Sequence, residues 1–112
     1  MAVTVIANEG SLTGTAPVTL LAAPAGATVR ATPKDSVGVY NKDTVAHDFT
    51  FQKNKGGTIT EVAKIAAVAP GGLAVMPKKV ALDATNESLE AKSDATATTT
   101  EPTFDVIALE IT

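Results

Sequence analysis

His47 is the one imidazole in a chain of 112 residues that has no cysteine, so side-chain chemistry would have to centre on it. A neutral imidazole beside a hydroxyl and an orienting acid would make a nucleophilic centre. Hydroxyls are too plentiful here to single one out, and Ser11, Ser36, Ser88 and Ser93 all lack the flanking glycines of a nucleophile elbow. One His without Cys leaves only an oxygen-rich metal site. Asp43 and Asp48 do not fall in the Asp-x-Asp-x-Asp-Gly spacing that calcium prefers. Asp43 therefore reads as a turn residue and His47 as a half-buried sheet position. Asp83, Glu87, Glu90 and Glu110 could supply an acid–base pair, but nothing selects one pair and solvated faces account for them. Gly10 and Gly14 are not followed by the Lys-Ser or Lys-Thr of a phosphate loop. Asn86-Glu87-Ser88 matches a glycosylation acceptor without a secretion signal beside it. The expectation is a protein that is not an enzyme, with no catalytic, cofactor-binding or metal-binding residues.

Composition narrows the partners. Nine Lys plus Arg against twelve Asp plus Glu give a formal charge of −3. Nucleic acid needs a basic face to displace its counterions, and the one basic cluster, Lys53, Lys55, Lys78 and Lys79, flanks turns. The start of the chain has no basic region before its short apolar run, which predicts no export signal. Val62 to Met76, the most apolar stretch, is broken by Lys64 and by Pro70-Gly71-Gly72, too soon to span a bilayer. A soluble protein with neither nucleic acid nor membrane as partner is expected.

The elements that would position any working residue are short. Hydrophobic residues make up 45% of the chain and charged ones 19%, the balance of a globular domain with one core. Ala, Thr and Val dominate, and Val and Thr favour a pleated surface. Gly and Pro recur too often to leave room for helices of three turns. The pattern predicts an all-β chain, an antiparallel β-sandwich, jelly-roll-like or Ig-like, of about seven to nine short strands in a single domain over residues 1–112. Candidate strands are Ala2 to Asn8, Val18 to Ala22, Thr28 to Thr32 and Val37 to Tyr40. Another begins at His47, where His47, Phe49 and Phe51 point one way and Asp48, Thr50 and Gln52 the other, closed by a hairpin turn at Asn54-Lys55-Gly56-Gly57. Thr58 to Ala69 fits helical and strand spacing alike, and its tight Gly and Pro bounds favour strand. Asn86 to Ser93 could form a turn and a half of helix. Ser93 to Pro102, rich in Ala and Thr, reads as a flexible loop. The last strand carries Phe104, Val106, Ala108 and Glu110 on one side and Asp105, Ile107, Leu109 and Ile111 on the other. Two largely apolar faces make it either a central strand covered on both sides or an edge covered by a partner.

Several segments occur in a distinctive order: Val18 to Gly26 (Val-Thr-Leu-Leu-Ala-Ala-Pro-Ala-Gly), Val37 to His47 with Asn41-Lys42-Asp43-Thr44, Asp48 to Phe51, Ala69-Pro70-Gly71-Gly72-Leu73, Val80 to Ala91 with Ser88-Leu89-Glu90-Ala91, and Phe104 to Ile111. Over roughly residues 16 to 111 the chain resembles a group of small β-sandwich virion proteins of tailed bacteriophages, of the capsid decoration or cement type. The resemblance implies a non-enzymatic structural protein that stabilises the head shell through contacts with the major capsid protein. It would sit on the capsid surface of the virion after synthesis in the host bacterial cytoplasm, and leaves open a neck, tail or head-fibre-base position. Leu82, Leu89 and Leu109 would add bulk to a core of Ala and Val.

Such a subunit works through surfaces. Val3, Val5 and Ile6, in residues 1–10, would be interface residues if that segment is an arm adding to a neighbour's sheet edge. Pairing within its own sheet is the equal alternative. Ile107, Leu109 and Ile111 form a second interface candidate. Copies of the chain are expected neighbours, in a closed homo-oligomer such as a trimer. A reading of another class is a soluble glycan- or peptide-binding β-sandwich, to which four aromatic residues give little support.

Overall fold

Period-two alternation between frequent Gly and Pro breaks builds ten strands and no helix in the computed structural model, which describes residues 2–26 and 28–112. The strands are β1 (Val3–Ser11), β2 (Val18–Leu21), β3 (Val29–Thr32), β4 (Val37–Tyr40), β5 (His47–Lys55), β6 (Thr58–Val68), β7 (Leu73–Val75), β8 (Val80–Leu82), β9 (Glu87–Ser93) and β10 (Thr103–Ile111). All pairings are antiparallel, in two sheets. The all-β sandwich expected from sequence is present, with more strands than the seven to nine foreseen. Met1, part of the segment 1–10, lies outside the described residues.

β10 is the spine of the larger sheet. One edge pairs with β1 along its whole length, from Val3↔Ile111 to Ser11↔Thr103. The other edge is shared by β4, through Thr103–Val106, and β3, through Leu109–Ile111. β4 continues to β7 and β3 to β8. Residues Val3–Ser11 thus lie within their own sheet. Gly10 permits close approach there, since a Cβ would stand 2.8 Å from the Phe104 ring. The smaller sheet runs β2-β9-β5-β6. Phe49, Phe51, Leu89 and Ala91 from it meet Val37, Val39, Leu82, Val106 and Ala108 from the larger one, all fully or nearly fully buried. Leu12, Leu20, Leu21 and Met76 supply the remaining bulk. Leu109, expected in the core, projects from the opposite face of β10 and is half-buried.

One ambiguous segment differs from expectation, and the other, Thr58 to Ala69, is the favoured strand with an irregular register. Glu87–Ser93 is a strand, not a helical turn. Its core-facing positions are Glu87, Leu89, Ala91 and Ser93, so polar residues at both ends hide the alternation, while Leu, Glu, Ala and Lys favour helix locally. β6 carries two irregularities against β5, one near Asp48 and one between Phe51 and Gln52. These bulges bring Val62, Ala63 and Ile65 together on the core, which no strict alternation would do. Gly56 and Gly57, at φ 59° and 97°, form the left-handed two-residue turn that joins β5 to β6.

Ala67, at φ 53°, occupies the left-handed position of the bulge near Asp48, where Asp48 Oδ1 accepts its N–H at 2.7 Å. An L-residue there costs about 1–2 kcal/mol. The Ala67→Gly variant should gain about 0.5–1 kcal/mol after the entropic cost of glycine. A higher urea midpoint at unchanged slope is the expected reading, and a lower midpoint would contradict the strain.

Candidate interaction surface

The inner face of β5 reads His47, Phe49, Phe51, Lys53, apolar in the middle and ionisable at both ends. At one end Lys53 pairs with buried Glu87 and donates to Ala81 O at 3.0 Å. His47 occupies the other end and is buried rather than half-buried. Its Nε2 lies 2.6 Å from Asp43 Oδ2, and its Nδ1 lies 2.8 Å from Asp94 Oδ1 and 3.1 Å from Ser93 Oγ. The Asp43 hydrogen bond raises the His47 pKa above its ordinary value; burial opposes this, and Asp94 adds to it. The same bond from His47 holds the Asp43 carboxyl well below the usual carboxylate range, aided by backbone N–H donors and against burial. Burial pushes the Asp94 carboxyl up, but His47, a backbone hydrogen bond at Asp48 and the Ser93 hydroxyl together leave it lowered.

Ser93, His47 and Asp43 have the membership of a nucleophilic triad, but not its proton arrangement. A carboxylate on each ring nitrogen favours the imidazolium, which donates through both N–H groups. In that form no lone pair remains to take a proton from Ser93. The cluster ties down a loop. Asp43 accepts the backbone N–H groups of Thr98 at 2.8 Å, Thr99 at 2.8 Å and Thr100 at 3.3 Å, while Asp94 is held by the ring. The 93–102 segment, expected to be flexible, is a loop clasped at two points. Asn41, fully buried, donates to Val68 O at 2.8 Å and Val45 O at 3.0 Å, and its Oδ1 accepts the Asp43 N–H at 3.0 Å. Sequence reading missed this set. Its one signal was Asp43 and His47 spaced by four across a turn, and Asp94 gave no sign of joining them.

The expected interface residues gather on one surface, with one exception. In the β1–β10 ladder Val3 faces Ile111, Val5 faces Leu109 and Ala7 faces Ile107. All six project away from the core. Val3 is 56% exposed, Val5 67% and Ile107 55%, while Leu109 and Ile111 are half-buried. Ile6 is the exception. It faces Ala108 on the inner side and packs partly buried against the core. β10 is thus central in its sheet, covered by the core on one side only. Tyr40 and Leu73, cross-strand partners on β4 and β7, are exposed on the same face beyond the Glu9–Asp105 pair that ends the stripe. The alternation of Val37-Gly38-Val39-Tyr40 could have placed Tyr40 there. Single exposed apolar residues are ordinary, whereas these line up as a stripe across adjacent strands.

The outer face of the smaller sheet is different. Asp48, Thr50, Gln52, Glu61, Lys64 and Lys92 line a shallow polar groove with no aromatic side chain in its wall. Among the described residues no group of three His, Cys, Asp or Glu is placed to hold a metal ion.

No protein-family model matches the chain, and no curated protein does. Solved structures do. A chain in the structure of infectious bursal disease virus, Gx strain, aligns over 97% of this chain and 31% of its own length, at 14% identity and a TM-score of 0.54. A chain of the Gt strain covers 97% and 32%, at 14% identity and a TM-score of 0.43. The present chain spans about a third of the length of the chains it matches. The likeness is one of fold. It reaches a chain of infectious bursal disease virus, not the tailed-phage proteins that the sequence resembles.

Proposed function

We propose that this chain is a non-enzymatic structural subunit of a virus particle, specifically a capsid decoration (cement) protein of a tailed phage. Its principal partner is the major capsid protein, with copies of itself as neighbours. The carrying observation is the apolar stripe of Val3, Val5, Ala7, Ile107, Leu109 and Ile111 on the open face of a sheet. A shell-bound subunit needs a surface of this kind, and repetition on the shell lets many weak contacts add up. The fold shared with a viral chain supports the reading, as does an ionisable cluster spent on holding a loop. A glycan-binding role has less support, because the polar groove offers no aromatic platform.

Quantitative mass spectrometry of purified particles tests this. Stoichiometric copies at shell-like number are expected, with shells lacking the protein failing at lower temperature. About a dozen copies would move it to a neck or tail ring. Detection in lysate but never in particles overturns the reading.

A further inference from the structure

A sheet edge is a row of unpaired N–H and C=O groups, and folded proteins guard such rows. Four of the five outermost strands here are guarded. β7 and β8 have three residues each, and β2 has four with a register shift. β6 is long but twice irregular, and carries Glu61 and Lys64. β1 has none of these devices. Its nine residues pair with β10 without a register shift, contain no Pro, Lys or Arg, and bear one charge, Glu9.

The direction of its free groups follows from the ladder. Ala2 and Thr112 exchange both backbone bonds, Ala2 N–H to Thr112 O at 3.2 Å and Thr112 N–H to Ala2 O at 3.0 Å. Hydrogen-bonded pairs alternate with non-bonded ones in an antiparallel ladder. Thr4, Ile6, Asn8 and Gly10 therefore bond inward to β10, and Val3, Val5, Ala7, Glu9 and Ser11 turn their N–H and C=O groups to the open edge. That edge is about 30 Å long at ~3.4 Å per residue.

We propose that the open edge of β1 pairs antiparallel with β1 of a second copy, about a two-fold axis at Ala7. In this register Ala7 faces its own copy, Val5 faces Glu9 and Val3 faces Ser11. Every outward backbone group finds a partner, and the two Glu9 carboxylates face valines rather than each other. The axis stands perpendicular to the sheet, so the exposed faces of the two copies lie on one side, with the Ala7–Ile107 rows continuous across the axis and the Glu9–Asp105 carboxylates of each copy beside the valines of the other. This goes beyond the virion reading and does not depend on it, since the purified chain either pairs or stays single.

Sedimentation equilibrium and amide exchange on the purified full chain decide it. A dimer is expected in the micromolar-to-millimolar range, with the amides of Val3, Val5, Ala7, Glu9 and Ser11 becoming protected as concentration rises. Those of Thr4, Ile6, Asn8 and Gly10 should be protected throughout. The Val5→Pro variant removes only an outward donor, so the β10 ladder survives. Its dimer should weaken roughly 100-fold, about tenfold for each of the two symmetry-related bonds lost. Ala7→Lys, an exposed change at the axis, should abolish pairing through like charges, and serves if the proline variant fails to fold. A monomer at every concentration, a Val5→Pro or Ala7→Lys variant that dimerises like the parent, or outward amides protected only inside assembled particles would each overturn the proposal.

Discussion

Truncating Phe51 to Ala should cost about 3–5 kcal/mol of stability and lower the Tm by roughly 10–20 °C. Phe49 and Phe51 are the largest fully buried side chains, and the core around them is built from Ala, Val and Leu. Phe51 stands between Ala63 on β6 and Ala91 on β9. These small neighbours cannot swing in to fill the space the ring leaves, so most of the cavity persists, and the cost of a large-to-small change rises with residual cavity. Against a total of about 5–15 kcal/mol for a domain, that is a large share of the margin. Urea unfolding should show a lower midpoint at similar slope, and Phe51→Leu should recover most of the loss. A loss under about 1 kcal/mol would mean that β5 turns its other face to the core.

Stability should form a plateau in pH with two limbs, set by the Asp43–His47–Asp94 clasp. His47 has a raised pKa in the folded state. Its contribution is fully present below the ordinary imidazole value of about 6.5 and is lost as pH rises through the folded value. Asp43 and Asp94 are lowered, so theirs is present above the ordinary carboxylate value of about 3.9 and fades as pH falls further. The groups that face His47 are Asp43, Asp94 and the Ser93 hydroxyl, with the Phe49 ring 6.1 Å away between centroids. His47→Gln should flatten the alkaline limb and shrink the acid limb, leaving only the part that the backbone N–H donors to Asp43 supply. Asp43→Asn replaces one of the two accepting oxygens with an amide NH2, so either the Thr98 amide on Oδ2 or the Thr99 and Thr100 amides on Oδ1 lose their acceptor and should exchange sharply faster. Thermal melts across pH, with amide exchange on the loop, check both. An unchanged alkaline limb in His47→Gln would assign the pH dependence to other groups.

How far the sequence was legible depended on whether alternation and burial agreed. His47, Phe49 and Phe51 alternate cleanly, and their strand lies where that pattern puts it. Val37–Tyr40 was equally plain. In β6 the two bulges shift which side faces the core, so the same residues fit a helical period. In β9 a buried Glu87 and Ser93 interrupt the apolar signal, because their partners, Lys53 and His47, arrive from a strand more than thirty residues away. The outward stripe was readable as two separate apolar segments. That Val3, Val5 and Ala7 stand directly against Ile111, Leu109 and Ile107 is a fact of register between strands at opposite ends of the described chain, which no local pattern encodes. Ile6 shows the same limit: being apolar made it an interface candidate, while its parity put it on the core side.

The account rests on the apolar β1–β10 face as the working part of the molecule. A cryo-electron map of the intact particle tests that most directly. Density for this ten-stranded domain should sit on the head shell with Val5, Ile107 and Leu109 pressed against capsid protein and the polar groove of the smaller sheet turned to solvent. A bound domain with that stripe facing open solvent, or a particle without the domain, would contradict it.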